Sequence, residues 1–212
     1  MKHWLIGTTA CVLMVLAFSS EAFAHKPTFG DQGYDSPERA FVVDDPSVSI
    51  VLYRSVTCAQ PQLWMTFEAK AGFPLFVQLL IPRIERLRDY RPAVAVVGPG
   101  LPAADPGIRL PDASGAIVFR TEGVQPRAFD EPFTMTQDFI LVEETITLPE
   151  SGRYYVVAWD PAGQTGKLDL AVGTAEQFGP ADIAMAADWT RRTRTAPAAM
   201  ESAAKPLRAS WH

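Results

Sequence analysis

Residues 63–81 read LWMTFEAKAGFPLFVQLLI, and this stretch decides the fold class of the chain. Apolar side chains occupy every second position from Leu63 to Phe67 and again from Phe73 to Ile81. Successive side chains of a strand point to opposite faces, so the pattern predicts two strands that each bury one face. The Ala71-Gly72 dipeptide between them indicates a turn, and we therefore expect the two strands to form a hairpin.

Short segments of the same kind recur along the chain. They are Val48–Tyr53, Ala93–Val97, Ala116–Arg120, Phe139–Leu148, Gly152–Trp159 and Lys167–Val172. The 18 prolines mostly lie between these segments, where a missing backbone N–H does not interrupt a sheet. No long helical period separates the segments, so the pattern predicts a mainly β protein, an antiparallel β-sandwich of the jelly-roll type.

A secretory signal peptide is predicted at residues 1–24. A short basic start precedes an apolar run from Leu5 to Phe18, and Ala22-Phe23-Ala24 matches the A-x-A pattern of a cleavage site. Cleavage after Ala24 would make His25 the new N-terminus. The signal peptide also predicts that the protein is located in the periplasm or outside the cell.

Four further parts follow the signal peptide. Residues 25–46 are rich in Pro, Gly and Asp and predict an extended N-terminal arm with an edge strand at Ala40–Val43. Residues 47–175 carry the main strand segments and form the predicted β-sandwich domain. Residues 176–194 predict a short C-terminal helix, and the Ala- and Pro-rich residues 195–212 predict a disordered tail.

Composition argues against two classes of partner. The chain carries a net charge of −5, whereas nucleic-acid binding requires a concentrated basic face. After the signal peptide no apolar run reaches the roughly 20 residues of a spanning helix, so the mature chain is not expected to cross a membrane. Cys58 is the one cysteine of the predicted mature chain, and we expect it to be buried, with a disulfide between chains or metal ligation as alternatives.

Two motifs carry a resemblance to a known type of module. Residues 66–72 read TFEAKAG, and residues 148–157 read LPESGRYYVV. Over residues 47–173 the chain resembles the bacterial pre-peptidase C-terminal type of module, a β-sandwich domain of secreted proteins. The resemblance implies a non-catalytic role in binding, targeting or stabilisation. Gln60-Pro61-Gln62 stands where such modules often carry aspartates, which argues against a calcium site of that type.

His25 is the candidate metal ligand. As an N-terminal residue it would offer its α-amine and a ring nitrogen to one ion, and copper favours such nitrogen ligands. A further ligand would have to come from His212, another chain, Cys58, a methionine or a carboxylate. The alternative is that cleavage happens to precede a histidine on a flexible arm.

A candidate ligand pocket is predicted around Asp130, Glu131 and Thr134. Acids beside an aromatic and a hydroxyl, as in Asp130-Glu131-Pro132-Phe133-Thr134, are typical of polar pockets. Glu131 and Glu143 would also be the acids of a glycoside hydrolase, and loop carboxylates can bind calcium. The alternative for these acids is a solvated loop.

A candidate anion-binding loop lies between Pro82 and Pro92. It carries four arginines, namely Arg83, Arg86, Arg88 and Arg91. Such a loop could hold an anionic sugar or a lipid headgroup, although Glu85 and Asp89 partly neutralise it. The alternative is a solvated rim.

The sequence favours a non-catalytic binding or accessory module, not an enzyme. The expected partner is an unknown protein or glycan of the cell envelope. No cofactor is expected, copper at His25 is the alternative function, and calcium is the less favoured metal. A carbohydrate-active hydrolase is the third hypothesis.

Overall fold

The computed structural model describes residues 26–29, 33–131, 135–177, 179 and 188. Its strands, in chain order, are β1 (Lys26–Phe29), β2 (Phe41–Val42), β3 (Ile50–Val56), β4 (Gln62–Ala69), β5 (Pro74–Pro82), β6 (Ala93–Gly98), β7 (Gly115–Phe119), β8 (Arg127–Asp130), β9 (Gln137–Thr147), β10 (Gly152–Trp159) and β11 (Gly166–Val172). Two short 3-10 helices lie at Pro37–Arg39 and Glu85–Leu87.

Within the described residues the strands form two sheets. The six-stranded sheet has the order β1-β3-β11-β5-β9-β8, and the five-stranded sheet has the order β2-β4-β10-β6-β7. Neighbouring strands pair antiparallel except at one edge of each sheet, where β1 joins β3 and β2 joins β4 in parallel. Both exceptions involve the N-terminal arm, which places a strand in each sheet. The mainly β sandwich is confirmed, and β2 confirms the edge strand predicted at Ala40–Val43.

The predicted hairpin between β4 and β5 is wrong. The two strands are consecutive in the chain but lie in different sheets. Their turn crosses from one sheet to the other, with Gly72 at φ +83° and its N–H donating to the carbonyl of Leu148 at 2.8 Å. Alternation correctly predicted the face that each strand turns to the common core, which contains Met65 and Val77, but residues of the opposite faces such as Trp64 and Leu80 are buried as well. Alternation alone does not show which sheet receives a strand.

The core fills the space between the sheets and is closed by Tyr154. This ring is fully buried, and its hydroxyl lies 2.9 Å from the carbonyl oxygens of both Pro99 and Glu150. A Cβ at Gly98 would lie 2.2 Å from the ring. The close approach of ring and backbone therefore requires glycine at this position.

A third layer covers the outer face of the five-stranded sheet. Trp64 and Trp159 lie there with 0% and 4% of their surface exposed, and Ile108 and Leu110 of the 101–114 loop pack against their cluster. The loop is fixed where it begins and ends, because Ala116 N–H donates to the carbonyl of Pro102 at 2.8 Å. A Cβ at Gly115 would lie 1.9 Å from the carbonyl oxygen of Leu101.

Cys58 lies in the turn between β3 and β4 and is exposed, so the expected burial is wrong. The apolar alternation of β3 ends at Val56, and Thr57 and Gln60 bond to each other across the turn. This places the thiol beyond the core.

Several predicted features fall outside the described residues. They include the signal peptide at 1–24, His25 and the tail at 195–212. Of the predicted helix at 176–194, only residues 176, 177, 179 and 188 are described, so it stays a prediction. In the part of the chain that is described, no helix combines the length and apolar character needed to cross a bilayer.

Candidate functional site

A cleft of about 870 Å³ lies on the outer face of the five-stranded sheet. Its floor comes from β4 and β10, and its walls come from arm residues 36–44 and loop residues 109–112. We call it the arm cleft. Its charged and aromatic lining residues are Glu38, Asp44, Phe67, Glu68, Arg109, Asp112, Arg153 and Tyr155.

The floor of the arm cleft follows from the register of β4 and β10. Glu68 lies opposite Arg153, and Thr66 lies opposite Tyr155. The Nε of Arg153 donates to Glu68 Oε1 at 2.9 Å, and this hydrogen bond raises the pKa of Arg153. The ring of Tyr155 meets Trp64 edge-on, with centroids 5.9 Å apart. The floor thus joins an ion pair to an aromatic surface.

The arm wall is bonded directly to β4. Trp64 N–H donates to the carbonyl of Tyr34 at 2.7 Å, and Val43 N–H donates to the carbonyl of Thr66 at 2.8 Å. At the rim, the pKa of Glu38 is lowered by hydrogen bonds from its own backbone N–H and from Ser36, with a smaller effect of Arg109 across the cleft. The arm therefore forms a fixed wall of the cleft.

Carboxylates outnumber guanidinium groups in the arm cleft. Glu68 pairs with Arg153, and Arg109 acts electrostatically on Glu38. Among the described residues, Asp44 and Asp112 form no ion pair or side-chain hydrogen bond. The cleft therefore presents hydrogen-bond acceptors beside the tyrosine ring, a combination that suits ligands rich in hydroxyl or N–H groups.

The structure brings Asp130 of the predicted pocket close to Arg83 of the predicted anion-binding loop. Asp130 ends β8 with 71% of its side chain exposed, and Arg83 Nη1 lies 3.4 Å from its Oδ1. Gln137 Nε2 lies 3.3 Å from the same oxygen. Glu131 has 4% of its surface exposed, so the two adjacent acids occupy different environments. Thr134 lies outside the described residues.

The other arginines of the predicted anion loop have separate local surroundings. Arg88 Nη1 lies 3.7 Å from Glu85 Oε1. Arg91 Nη1 donates to the carbonyl oxygens of Arg88 and Tyr90, both at 2.9 Å, and so holds the loop backbone. Burial lowers the pKa of Lys167, and the positive charge of Arg86 adds to this effect. Anion binding by this loop stays a prediction.

Glu143, the other acid of the hydrolase hypothesis, has both oxygens engaged. Gln78 Nε2 donates to Oε2 at 2.6 Å, and Arg127 Nη2 donates to Oε1 at 2.6 Å. These contacts join β5, β8 and β9 on the outer face of the six-stranded sheet. Glu143 thus has a structural environment in this fold.

Two buried carboxyl groups on the same sheet were not identified from the sequence. Asp138 and Asp169 are each 3% exposed, and their side chains are hydrogen-bonded to each other. Burial raises the pKa of Asp138 to about 6; hydrogen bonds from Thr136 and Asp169 oppose this rise, and the negative charge of Glu131 adds to it. Burial also raises the pKa of Asp169 well above its ordinary value, and the negative charge of Asp138 adds to that rise. Asp169 lies between Leu168 and Leu170 in a strand. This position in an apolar strand is the sequence signal that could have identified it as a buried acid.

No histidine lies near these groups in the described part of the chain. Lys26, which follows His25, is held in β1 and donates its N–H to the carbonyl of Ser49 at 2.9 Å. Among the described residues, no group of three or more His, Cys, Asp or Glu side chains is arranged to hold a metal ion. The copper and calcium hypotheses stay predictions.

No family model matches this chain, and no curated protein matches it. Solved structures do. The pre-peptidase C-terminal domain of a collagenase from Bacillus anthracis matches with 12% identity over 65% of this chain and 97% of that chain, at a TM-score of 0.34. A periplasmic inhibitor of g-type lysozyme from Aeromonas hydrophila matches with 20% identity over 71% and 98%, at 0.36.

A surface-associated copper-binding protein from Methylomicrobium album BG8 also matches, with 11% identity over 64% of this chain and 98% of that chain, at a TM-score of 0.34. The collagenase domain is of the module type that the two sequence motifs resemble. The similarity of the chain to this type of module lies in the sequence motifs at residues 66–72 and 148–157.

Proposed function

We propose that this protein is a non-catalytic binding module of the periplasm or the extracellular space, and that its ligand binds in the arm cleft. The location rests on the signal peptide predicted at residues 1–24. The observation that carries the proposal is the cleft itself, about 870 Å³ in volume, with walls bonded to the sheet beneath. Pockets of about 300–1,000 Å³ are the usual size for ligand sites.

The cleft is preorganised for binding. Its floor consists of paired strands, its arm wall is hydrogen-bonded to β4, and its loop wall packs on buried tryptophans. A site that is already ordered loses little conformational entropy when a ligand binds. A sandwich with such a cleft therefore functions as a receptor surface.

The ligand is a glycan or a protein segment of the cell envelope. Tyr155 offers a ring surface, and the unpaired Asp44 and Asp112 offer acceptors for hydroxyl or N–H donors. Both ligand classes contain such donors. A direct screen decides between them.

The test is a screen of the mature chain, residues 25–212, on arrays of envelope glycans and of peptides, with hits measured again by calorimetry. Tyr155→Ala and Arg109→Ala are each expected to weaken binding about tenfold or more, as central interface residues do. Recovery of the ligand unchanged, checked by mass spectrometry, is expected of a non-catalytic module.

Arg88→Ala is the matched control, because Arg88 is an exposed arginine outside the cleft. It should leave affinity unchanged. A ligand that is lost with Arg88→Ala and kept by both cleft variants binds at the arginine loop and contradicts the proposal. Ligand conversion to a product would contradict the non-catalytic role.

Copper binding through His25 is the second candidate. The observation that favours it is the fixed position of Lys26 in β1, which holds the chain directly after His25 against the sheet. Native mass spectrometry of the untagged mature chain, offered copper and then freed of excess, should show one retained ion. Addition of one residue before His25 should abolish retention, because it removes the histidine α-amine. A metal-free native chain would exclude this candidate.

A further inference from the structure

A second pocket, of about 320 Å³, lies on the other side of the 101–114 loop. Its walls include Pro61, Pro106 and Pro161, and Trp159, Arg120 and Asp160 also line it. We propose that this pocket binds a small zwitterion of the amino-acid type, with its ammonium group at Asp160 and its carboxylate at Arg120. This inference does not depend on the arm cleft.

Asp160 is a buried carboxylate, and one of its two oxygens has no hydrogen-bond partner among the described residues. The residue is 9% exposed, and its Oδ1 accepts the N–H of Ala162 at 2.6 Å. Its Oδ2 is buried and has no hydrogen-bond partner among the described residues. A buried acceptor without a donor is costly, so a ligand that brings an N–H donor to this oxygen gains more than it would at an exposed acid.

The charges around Asp160 favour a cation at this end of the pocket. Burial raises the pKa of Asp160; the backbone N–H groups of Ala162 and Gln164 act in the opposite direction, and the negative charge of Glu122 adds to the rise. The buried hydroxyl of Tyr90 lies in the field of the same carboxylate. An ammonium group would relieve the repulsion between the two acids.

Arg120 supplies the opposite charge in the same pocket. It directly follows β7 and is exposed, and it forms no ion pair or hydrogen bond with any described residue. Asp160 and Arg120 line one pocket without forming a salt bridge with each other. A guanidinium group binds a carboxylate through two parallel hydrogen bonds, so an unpaired arginine is well suited to that end of a ligand.

The size and walls of the pocket narrow the ligand class. A volume of about 320 Å³ is at the small end of ligand sites. The three proline rings form stiff apolar parts of the wall, which suit a short apolar group. A single inorganic ion would satisfy only one of the two charged residues, whereas a zwitterion satisfies both.

The experiment is an NMR titration of the mature chain with three probes, alanine, acetate and methylammonium. Alanine is expected to shift the amide signals around Asp160 and Arg120 and to bind at least tenfold more tightly than either half-probe. Asp160→Asn and Arg120→Gln are each expected to weaken alanine binding about tenfold. The amide introduced by Asp160→Asn keeps an oxygen for the Ala162 N–H, and thermal unfolding checks that each variant folds.

Arg88→Gln is the control, because it removes an exposed arginine that lines neither pocket and should leave alanine binding intact. Acetate binding as tight as alanine would show an anion site and overturn the proposal. Methylammonium binding as tight as alanine would show a plain cation site and overturn it equally. Absence of alanine binding to the folded wild type would also reject it.

Discussion

The outer face of the five-stranded sheet and that of the six-stranded sheet both contain buried side chains, but of different chemistry. The first buries Trp64 and Trp159 beneath the 101–114 loop. The second buries Gln78, Asp138 and Asp169. Apolar burial holds a loop in place without any charge, and it leaves clefts on either side of that loop. Buried acids make stability depend on pH. Ligand binding is thus expected on one face and pH response on the other.

The largest effect is expected from removal of the tryptophan that supports the loop. Trp64→Ala deletes a fully buried side chain and should lower the free energy of unfolding by about 3–5 kcal/mol. Guanidinium unfolding measures the loss. Hydrogen exchange should accelerate in residues 101–114 more than in the six-stranded sheet.

Trp64→Phe is the control for that variant, because it keeps an aromatic ring on the sheet and should cost less. Equal acceleration of exchange in residues 101–114 and in the six-stranded sheet would show that the loop does not depend on this ring.

The second-largest effect is expected in the pH dependence of stability, which depends on the buried acids of the six-stranded sheet. The folded pKa of Asp138 is raised to about 6 from an ordinary 3.8, a difference worth about 3 kcal/mol. A raised folded pKa means that this stability is fully present below about pH 4 and is lost as pH rises through 6. Besides Asp169, the groups that act on Asp138 are Glu131, Arg83 and the Thr136 side chain.

Asp169→Asn should weaken the pH dependence, because it removes a second buried carboxyl group whose own folded pKa is raised well above its ordinary value by burial. Urea unfolding from pH 4 to pH 8 measures the slope, which should be flatter in the variant and should leave it more stable at pH 8. Asp130→Asn is the control, since Asp130 is exposed, and it should keep the wild-type slope. Identical slopes in wild type and Asp169→Asn would contradict the raised pKa of Asp169.

Sequence alternation predicted which side chains face the core but not how strands are distributed between sheets. Leu63 to Phe67 and Phe73 to Ile81 were correctly predicted as strands, and their hairpin was not, because a turn glycine serves a hairpin and a crossing between sheets equally well. Cys58 was expected in the core, since cysteine is usually buried, yet its position in a turn decided its exposure.

The candidate sites were harder to predict for the same reason. Asp138 and Asp169 meet across β5, where Pro82 pairs with Asp138 and Leu80 with Asp169. That contact depends on the register of three strands that are distant in sequence. Glu131 was singled out from its neighbours in the chain. The arm cleft is formed by segments that are distant in sequence, so no local sequence pattern predicts it.

A third, smaller effect concerns Glu143. Glu143→Ala removes the acceptor of the buried Gln78 amide and should lower the free energy of unfolding by about 1–2 kcal/mol. Glu143→Gln should lose less, since an amide oxygen can still accept the Gln78 N–H. Urea unfolding at pH 7 measures both. Equal losses would mean that charge, and not the hydrogen bond to Gln78, is what matters at this position.

The smallest effect is expected from the matching carboxylate on the other face. Glu68 also pairs with an arginine on a neighbouring strand, but both side chains are about two-thirds exposed and no buried amide depends on the pair. Water and salt screen such a pair, and exposed ion pairs add little to stability. The unfolding midpoint of Glu68→Ala should therefore equal that of wild type.

Because Glu68 lines the arm cleft, the same variant should change the affinity for the cleft ligand. A stability loss as large as that of Glu143→Ala would show that exposure does not separate the two faces. Unchanged stability with altered binding would separate the two roles: cross-strand carboxylates stabilise the six-stranded sheet and contact ligand on the five-stranded one.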